Sequence, residues 1–246
     1  MHSFDRVLRY PGIDELAAAV AERLVDRILA LEATQDTVNV CISASAIAPP
    51  LHDALARHPR IGSIDPARFH LWWGNENFVD ATDPRRHSTH TLSQLHNTLP
   101  LLAAHAHTMP QRSGSADPDE AAYAYAQEID GTVFDLCLFN LGEDGHVAGI
   151  YPRHPSLETA QDPGVLVMGV LDAPVGAPDQ ISVTFKTINA ARQVWLLACG
   201  PDRAAALAAS LAGEGLPASF LQPAEGTIWI VDEPAAADLP TFQCSL

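Results

Sequence analysis

Residues Phe134–Leu141 read FDLCLFNL, a near-continuous apolar run with almost no alternation. A strand with one wet face alternates polar and apolar side chains, so a strand without alternation needs cover on both faces, as in a central parallel sheet. The rest of the chain supplies that cover. Ile13–Leu31 (IDELAAAVAERLVDRILAL) spaces apolar residues at i, i+3 and i+4, the pattern of an amphipathic helix. Thr37–Ser43 (TVNVCIS) reads as a strand, Pro49–His58 as a helix, and Arg68–Trp73 (RFHLWW) as a strand ended by Gly74. Thr91–Leu102 reads as a helix stopped by Pro100, Met109–Pro118 as a loop, and Asp119–Ile129 as a helix opened by acidic residues. Ile181–Phe185, Gln193–Ala198 and Thr227–Val231 complete the strands, with Arg203–Leu211 a further helix. This alternation predicts an α/β fold: a Rossmann-like, mostly parallel, doubly wound sheet with helices on both faces, in one domain over residues 1–246. Ligands bind such sheets beyond the carboxyl ends of the strands, which points to the turns after Ser43, Trp73, Leu141 and Ala198.

Composition narrows the partners. With 47% hydrophobic residues in 246, the chain can build a core of domain size and is not disordered. No stretch approaches the roughly 20 apolar residues that span a bilayer, and the opening MHSFDRVLRYPG lacks a basic-then-apolar leader; neither membrane attachment nor export is expected. Fourteen Lys+Arg against 30 Asp+Glu give a formal charge of −16, and Lys186 is the one lysine, which argues against nucleic acid. An anionic ligand would need a local nest of Arg, His and backbone N–H groups within a repulsive field. Cys41, Cys137, Cys199 and Cys244 show no CxxC or metal-type spacing, and the first three lie in apolar runs. They read as buried small hydrophobes in a reducing, cytoplasmic compartment. His87, His90, His96, His105 and His107 are dense but fit no zinc pattern, so no metal is expected. Trp72 and Trp73 read as strand core.

The segment richest in chemistry follows the apolar run: Leu-Gly-Glu-Asp-Gly-His, then a short apolar stretch and Tyr-Pro. Gly142 and Gly145 permit positive φ and let a ligand approach bare backbone. His146 emerges at the strand end beside Asp144, where an imidazole suits proton transfer near neutral pH.

This block resembles the signature of the 6-phosphogluconolactonase family: an apolar strand, then Gly-Met-Gly-x-Asp-Gly-His-x-Ala-Ser-hydrophobic-Phe-Pro, which Asn140–Pro152 matches in register. Three further blocks follow in the family's order. Phe69–Asp80 (FHLWWGNENFVD) resembles its Trp-x-Asp-Glu-Arg-x-Val-Pro strand end. Gln180–Arg203 resembles its Arg-Ile-Thr…Gly-x-x-Lys stretch, and Gly213–Asp232 its closing Leu-Pro-Ala…Trp-x-x-Asp segment. Asp-Gly-His and Tyr-Pro set the chain apart from the related glucosamine-6-phosphate deaminases, which carry Asn-Gly-His and Phe-Asn-Glu-Pro. The resemblance implies hydrolysis of 6-phospho-glucono-1,5-lactone to 6-phosphogluconate in the pentose phosphate pathway. It implies a small sugar-phosphate lactone as partner, no cofactor, and a monomer or homodimer. His146 would be the general base, with Asp144 and Glu76 as catalytic partners. Ser43, Ser45, Gly142, Gly145, Arg86 and Arg203 would bind substrate.

Several positions depart from that pattern. The Gly-Gly turn after the first strand reads Ser43-Ala44-Ser45-Ala46, Asp-Glu-Arg reads Asn75-Glu76-Asn77, and Gln180 replaces an arginine. Asp80 stands for proline, His87 for asparagine and Arg203 for lysine. A hydrogen bond to a charged group contributes roughly 1.5–3 kcal/mol, so two absent arginines amount to about 3–6 kcal/mol, or 10²–10⁴ in rate, unless Arg85, Arg86, Arg153 or Arg203 compensates. Three readings therefore stand: a working 6-phosphogluconolactonase, a relative acting on another lactone or ester, and a non-catalytic binding partner.

Overall fold

The computed structural model describes residues 5–43, 48–95, 98–114, 116–174 and 176–240. In chain order its elements are β1 (Arg6–Tyr10), α1 (Ile13–Glu32), β2 (Val38–Ile42), α2 (Ala48–Ala56), β3 (Phe69–Trp73), β4 (Asn75–Asn77) and α3 (His87–Leu95). Then come β5 (Ala106–His107), α4 (Pro118–Ile129), β6 (Leu136–Asn140), α5 (Pro155–Thr159), β7 (Val167–Val170) and β8 (Gln180–Val183). The last are α6 (Phe185–Ala190), β9 (Val194–Ala198), α7 (Ala204–Ala212) and β10 (Thr227–Asp232). No helix among the described residues is long and apolar enough to cross a membrane.

Seven strands form one sheet in the order β1-β10-β9-β6-β2-β3-β5, and every pairing in it is parallel. The lack of alternation has the expected cause: β9 is buried at all five positions and β6 at four of five. The apolar stripe of α1, from Leu16 through Val20, Leu24 and Ile28 to Leu31, is buried against the sheet and α2. Helix α4 starts where its sequence says it should: Asp117 caps it by accepting the Glu120 N–H at 2.9 Å, with Pro118 in its first turn.

Two sequence expectations are corrected. The helix read as Thr91–Leu102 begins at His87 and ends at Leu95, so Pro100 does not stop it. Its start is fixed by a carboxylate from another element, Glu76, which local sequence does not reveal. The strand read as Ile181–Phe185 is Gln180–Val183, and it lies in a separate antiparallel sheet of order β4-β8-β7. The chain passes from the main sheet into this small one at Gly74, where any Cβ would lie 2.5 Å from the Phe139 ring.

The order of the main sheet locates the site. From β2 the chain winds outward through β3 to β5; from β6 it winds the other way through β9 to β10. The strands β2 and β6 are adjacent, so their carboxyl ends open a crevice at the point where the winding reverses.

Tyr125 of α4 anchors one rim of that edge. Its hydroxyl accepts the Trp73 N–H at 3.1 Å and lies within donating distance of the Trp73 and His107 carbonyls, at 3.1 and 2.9 Å. Tyr125→Phe leaves a buried N–H without an acceptor, and we expect it to lower unfolding free energy by about 1–3 kcal/mol in urea denaturation.

Candidate active site

At the crevice between β2 and β6, a cavity of about 210 Å³ is lined by Ser43, Asn75, His87, Asn140, His146, Ala148, Tyr151 and Gln180. The main sheet supplies Ser43 and Asn140, whose strand ends are tied by the Asn140 N–H donating to Ser43 Oγ at 3.2 Å. The turn after β6 supplies His146. The small sheet forms the opposite wall with Asn75 and Gln180.

The turn is built around the imidazole. The Gly142 N–H donates to the His146 carbonyl at 2.9 Å, and the Gly145 N–H to the Gly142 carbonyl at 3.0 Å. A Cβ on Gly142 would stand 2.0 Å from His146 Nδ1, so the ring occupies the space that a side chain would take. Gly145 turns the chain at φ +87°. The Asp144 carboxylate, half-exposed, accepts from both the His146 N–H, at 3.0 Å, and its Nδ1, at 2.7 Å. Burial alone would raise the Asp144 carboxyl, but these hydrogen bonds and the imidazole charge outweigh it and hold it below its ordinary value. The stabilisation this adds is therefore present above the ordinary carboxylate range and is lost as pH falls through the lowered value. With Asp144 ionised, Nδ1 carries the ring proton, which leaves the Nε2 lone pair free to accept one. The ring sits tilted against Tyr151, centroids 4.8 Å apart and planes at 44°. Just beyond, Ala148 lines the cavity at φ +53°, a strained value for a residue with a Cβ.

Other expected residues fall elsewhere. The sequence reading puts Glu76 among the catalytic groups, but in β4 it alternates to the face opposite Asn75 and Asn77 and is fully buried. Its two oxygens accept the N–H groups of Asn77, His87 and Ser88 at 2.9, 2.7 and 2.8 Å, so Glu76 holds the start of α3. Arg86, read as a substrate ligand, is buried and donates to the Met109 carbonyl. Arg85 is exposed and chelates Asp83. Arg203 spans the ends of β6 and β9, donating to the Leu141 and Cys199 carbonyls at 3.0 and 2.9 Å, with Glu143 3.8 Å away. It therefore borders the His146 turn without lining the cavity. Ser45 lies outside the described residues.

The wall residues Asn140, Ala148 and Tyr151 lie inside the signature block Asn140–Pro152 without reading as ligands in the sequence; the end of β6 and the turn after it bring them to the cavity. Tyr151 opens a directed chain of hydrogen bonds. Its hydroxyl donates to Gln180 Oε1 at 3.1 Å, and Gln180 Nε2 donates to Asn77 Oδ1 at 3.1 Å. Asn77 Nδ2 then donates to the Arg85 carbonyl at 2.7 Å and faces His87 Nε2 at 3.1 Å. Burial pushes the His87 imidazole below its ordinary value, against the pull of Glu76. His70, His105 and His107 form a stack with Trp72 at the sheet edge: His105 on His70 at 3.9 Å, and His107 on Trp72 at 3.7 Å; His96 lies outside the described residues. Among the described residues no cluster of three or more side chains is arranged to hold a metal.

A sequence model of the family described as glucosamine-6-phosphate isomerases/6-phosphogluconolactonase matches residues 11–230. The chain belongs to this family. It is 35% identical to the 6-phosphogluconolactonase of Streptomyces coelicolor over 240 residues, covering 92% of this chain and 91% of that protein. It is 30% identical to that of Mycobacterium tuberculosis, covering 94% and 97%. Among solved structures, the 6-phosphogluconolactonase of Trypanosoma brucei superposes with a TM-score of 0.82 at 19% identity, over 96% of this chain and 99% of that one. A monomeric glucosamine-6-phosphate deaminase gives 0.77 at 17% identity, over 95% and 99%, so the fold is common to both branches.

The position of Glu76 makes a prediction separable from catalysis. Glu76→Gln turns one acceptor into an NH₂ group facing a buried N–H. We expect a loss of about 1–3 kcal/mol in unfolding free energy, seen as an earlier denaturation midpoint, with the pH profile of any turnover unchanged in shape.

Proposed function

We propose that this family member hydrolyses 6-phospho-glucono-1,5-lactone to 6-phosphogluconate with His146 as general base. The observation that carries the reading is the Asp144–His146 pair, held at 2.7 Å on the rim of a polar cavity at the switch point of the sheet. The kinship with curated 6-phosphogluconolactonases supports the choice of substrate.

The chemistry follows from the pair. His146 Nε2 accepts a proton from water as the water oxygen bonds to the lactone carbonyl carbon, and the carbonyl π electrons move to its oxygen. The tetrahedral intermediate collapses, the bond to the ring oxygen breaks, and the imidazolium returns the proton to that oxygen. Asp144 stabilises the imidazolium between the two steps and keeps the ring in the orientation that exposes Nε2. A lactone is already reactive, so the protein needs only a positioned base and polar walls that replace the lost solvent. Being held ionised, Asp144 retains this role at and well below neutral pH.

The test is hydrolysis of freshly generated lactone with the spontaneous rate subtracted. His146→Ala is expected to lower kcat by about 10²–10⁴. Gly142→Ala, whose added methyl occupies the ring's place, is expected to approach the same loss while retaining the wild-type circular dichroism spectrum. Wild-type turnover no faster than that of His146→Ala would sink the assignment.

A further inference from the structure

The cavity beside His146 is neutral. Its polar walls are a hydroxyl (Ser43), three carboxamides (Asn75, Asn140, Gln180), a phenol (Tyr151) and two imidazoles (His87, His146). One of these, His87, is pushed towards the uncharged form by burial. Among the described residues no arginine lines it. Arg86 donates to the Met109 carbonyl through Nη2 and keeps a buried Nη1 without a hydrogen-bond partner among the described residues, Arg85 pairs with Asp83, and Arg203 donates to two strand-end carbonyls; none of the three lines the cavity. A phosphate drawn into this space would surrender its hydration to fixed neutral dipoles, within a chain of formal charge −16. A hydroxylated ring would exchange water for amide and hydroxyl partners at little cost.

The walls also differ in how far they are satisfied. Gln180 is engaged at both amide atoms and Asn77 likewise. Asn75 is only 6% exposed, yet its Oδ1 has no hydrogen-bond partner among the described residues. A buried carboxamide left open on the wall of a polar cavity is a group whose partner arrives with the ligand.

Building on the proposed lactonase reaction, we infer that this cavity seats the uncharged polyhydroxylated ring of an aldonolactone, that the Asn75 carboxamide takes a ring hydroxyl, and that a phosphate on the substrate stays outside and adds little to selectivity. The substrate class is then aldono-1,5-lactones, phosphorylated or not.

Three lactones test this, each with the spontaneous rate subtracted and His146→Ala run beside it: 6-phosphoglucono-1,5-lactone, glucono-1,5-lactone and δ-valerolactone, which has neither phosphate nor hydroxyls. The expected kcat/KM values for the two gluconolactones lie within about tenfold of each other, and valerolactone is poorer than both by at least about tenfold. Asn75→Ala is expected to shrink the preference for gluconolactone over valerolactone by about tenfold, mainly through KM. Asn75→Ser, which keeps a short polar group, is expected to fall between. Phosphorylated lactone preferred by more than about a hundredfold, with both activities dependent on His146, would overturn this inference and leave the base assignment standing. So would an Asn75→Ala or Asn75→Ser protein that lowers all three substrates equally. His146-independent rates on every lactone would remove the base assignment and this inference with it.

Discussion

Strands β2 and β6 pair in the middle of the sheet while the chain leaves them in opposite directions, and the rest of the site depends on that divergence. Two parallel strands buried on both faces must hand their chain on to helices on the flanks, so nothing in the main sheet closes over their carboxyl ends. The space left there is polar, because Ser43, just past β2, and Asn140, the last residue of β6, line it. It is narrow, because the ladder from Val40↔Leu136 to Ile42↔Leu138 continues to within two residues of the opening. Gly74 then lets the chain turn past Phe139 into the small antiparallel sheet, which walls the crevice on its open side. The imidazole of His146 is set against this frame by a turn with no room for a side chain at Gly142.

Much of this architecture is legible in the chain. The unbroken run Phe134–Leu141 announced a doubly covered strand, and β6 is buried on both sides. The i, i+3, i+4 stripe of Ile13–Leu31 became α1 almost to the residue. The Asp144–His146 contact follows from a two-residue spacing across a glycine turn, and local spacing is what a sequence displays best. Long-range geometry was hidden. That helix α3 starts at His87 depends on Glu76, eleven residues earlier and on another element. That Glu76 faces away from the cavity is a matter of strand alternation, invisible while Asn75-Glu76-Asn77 is treated as a motif with three equivalent members. Arg86 reads as a free loop cation until the Met109 carbonyl is seen beside it.

The departures from the family pattern acquire a common cause once the register is known. Asn77 pairs with Gln180 across the small sheet, and Asn75 with Ser182. Asn75, Asn77 and Gln180 thus share a face, and all three are neutral where the resembling pattern has an acid and two arginines. A single neutral replacement among buried charges would leave its partner uncompensated, at a cost of several kcal/mol. Replacing the set together avoids this, and the amides close the gap by bonding to one another and to the Tyr151 hydroxyl. Glu76, on the opposite face, is untouched by the exchange because its partners are backbone N–H groups of a helix start, which no side-chain substitution removes.

The exchange also changes what electrostatics can contribute. A buried arginine would project positive potential through a low-dielectric wall, whereas a guanidinium half in water is screened within about 8–10 Å at physiological salt. Arg203 is of the second kind: it is partly exposed, faces Glu143 across 3.8 Å, and already holds two carbonyls. An anion reaching it must compete with Glu143, and the overall charge of −16 opposes the approach. Long-range attraction is therefore weak here, and discrimination falls to short-range hydrogen bonding inside the cavity, where each wall amide either has its partner or waits for one. That ordering of effects follows from where the charges sit, and it makes Asn75 rather than any arginine the residue at which this site reads its ligand.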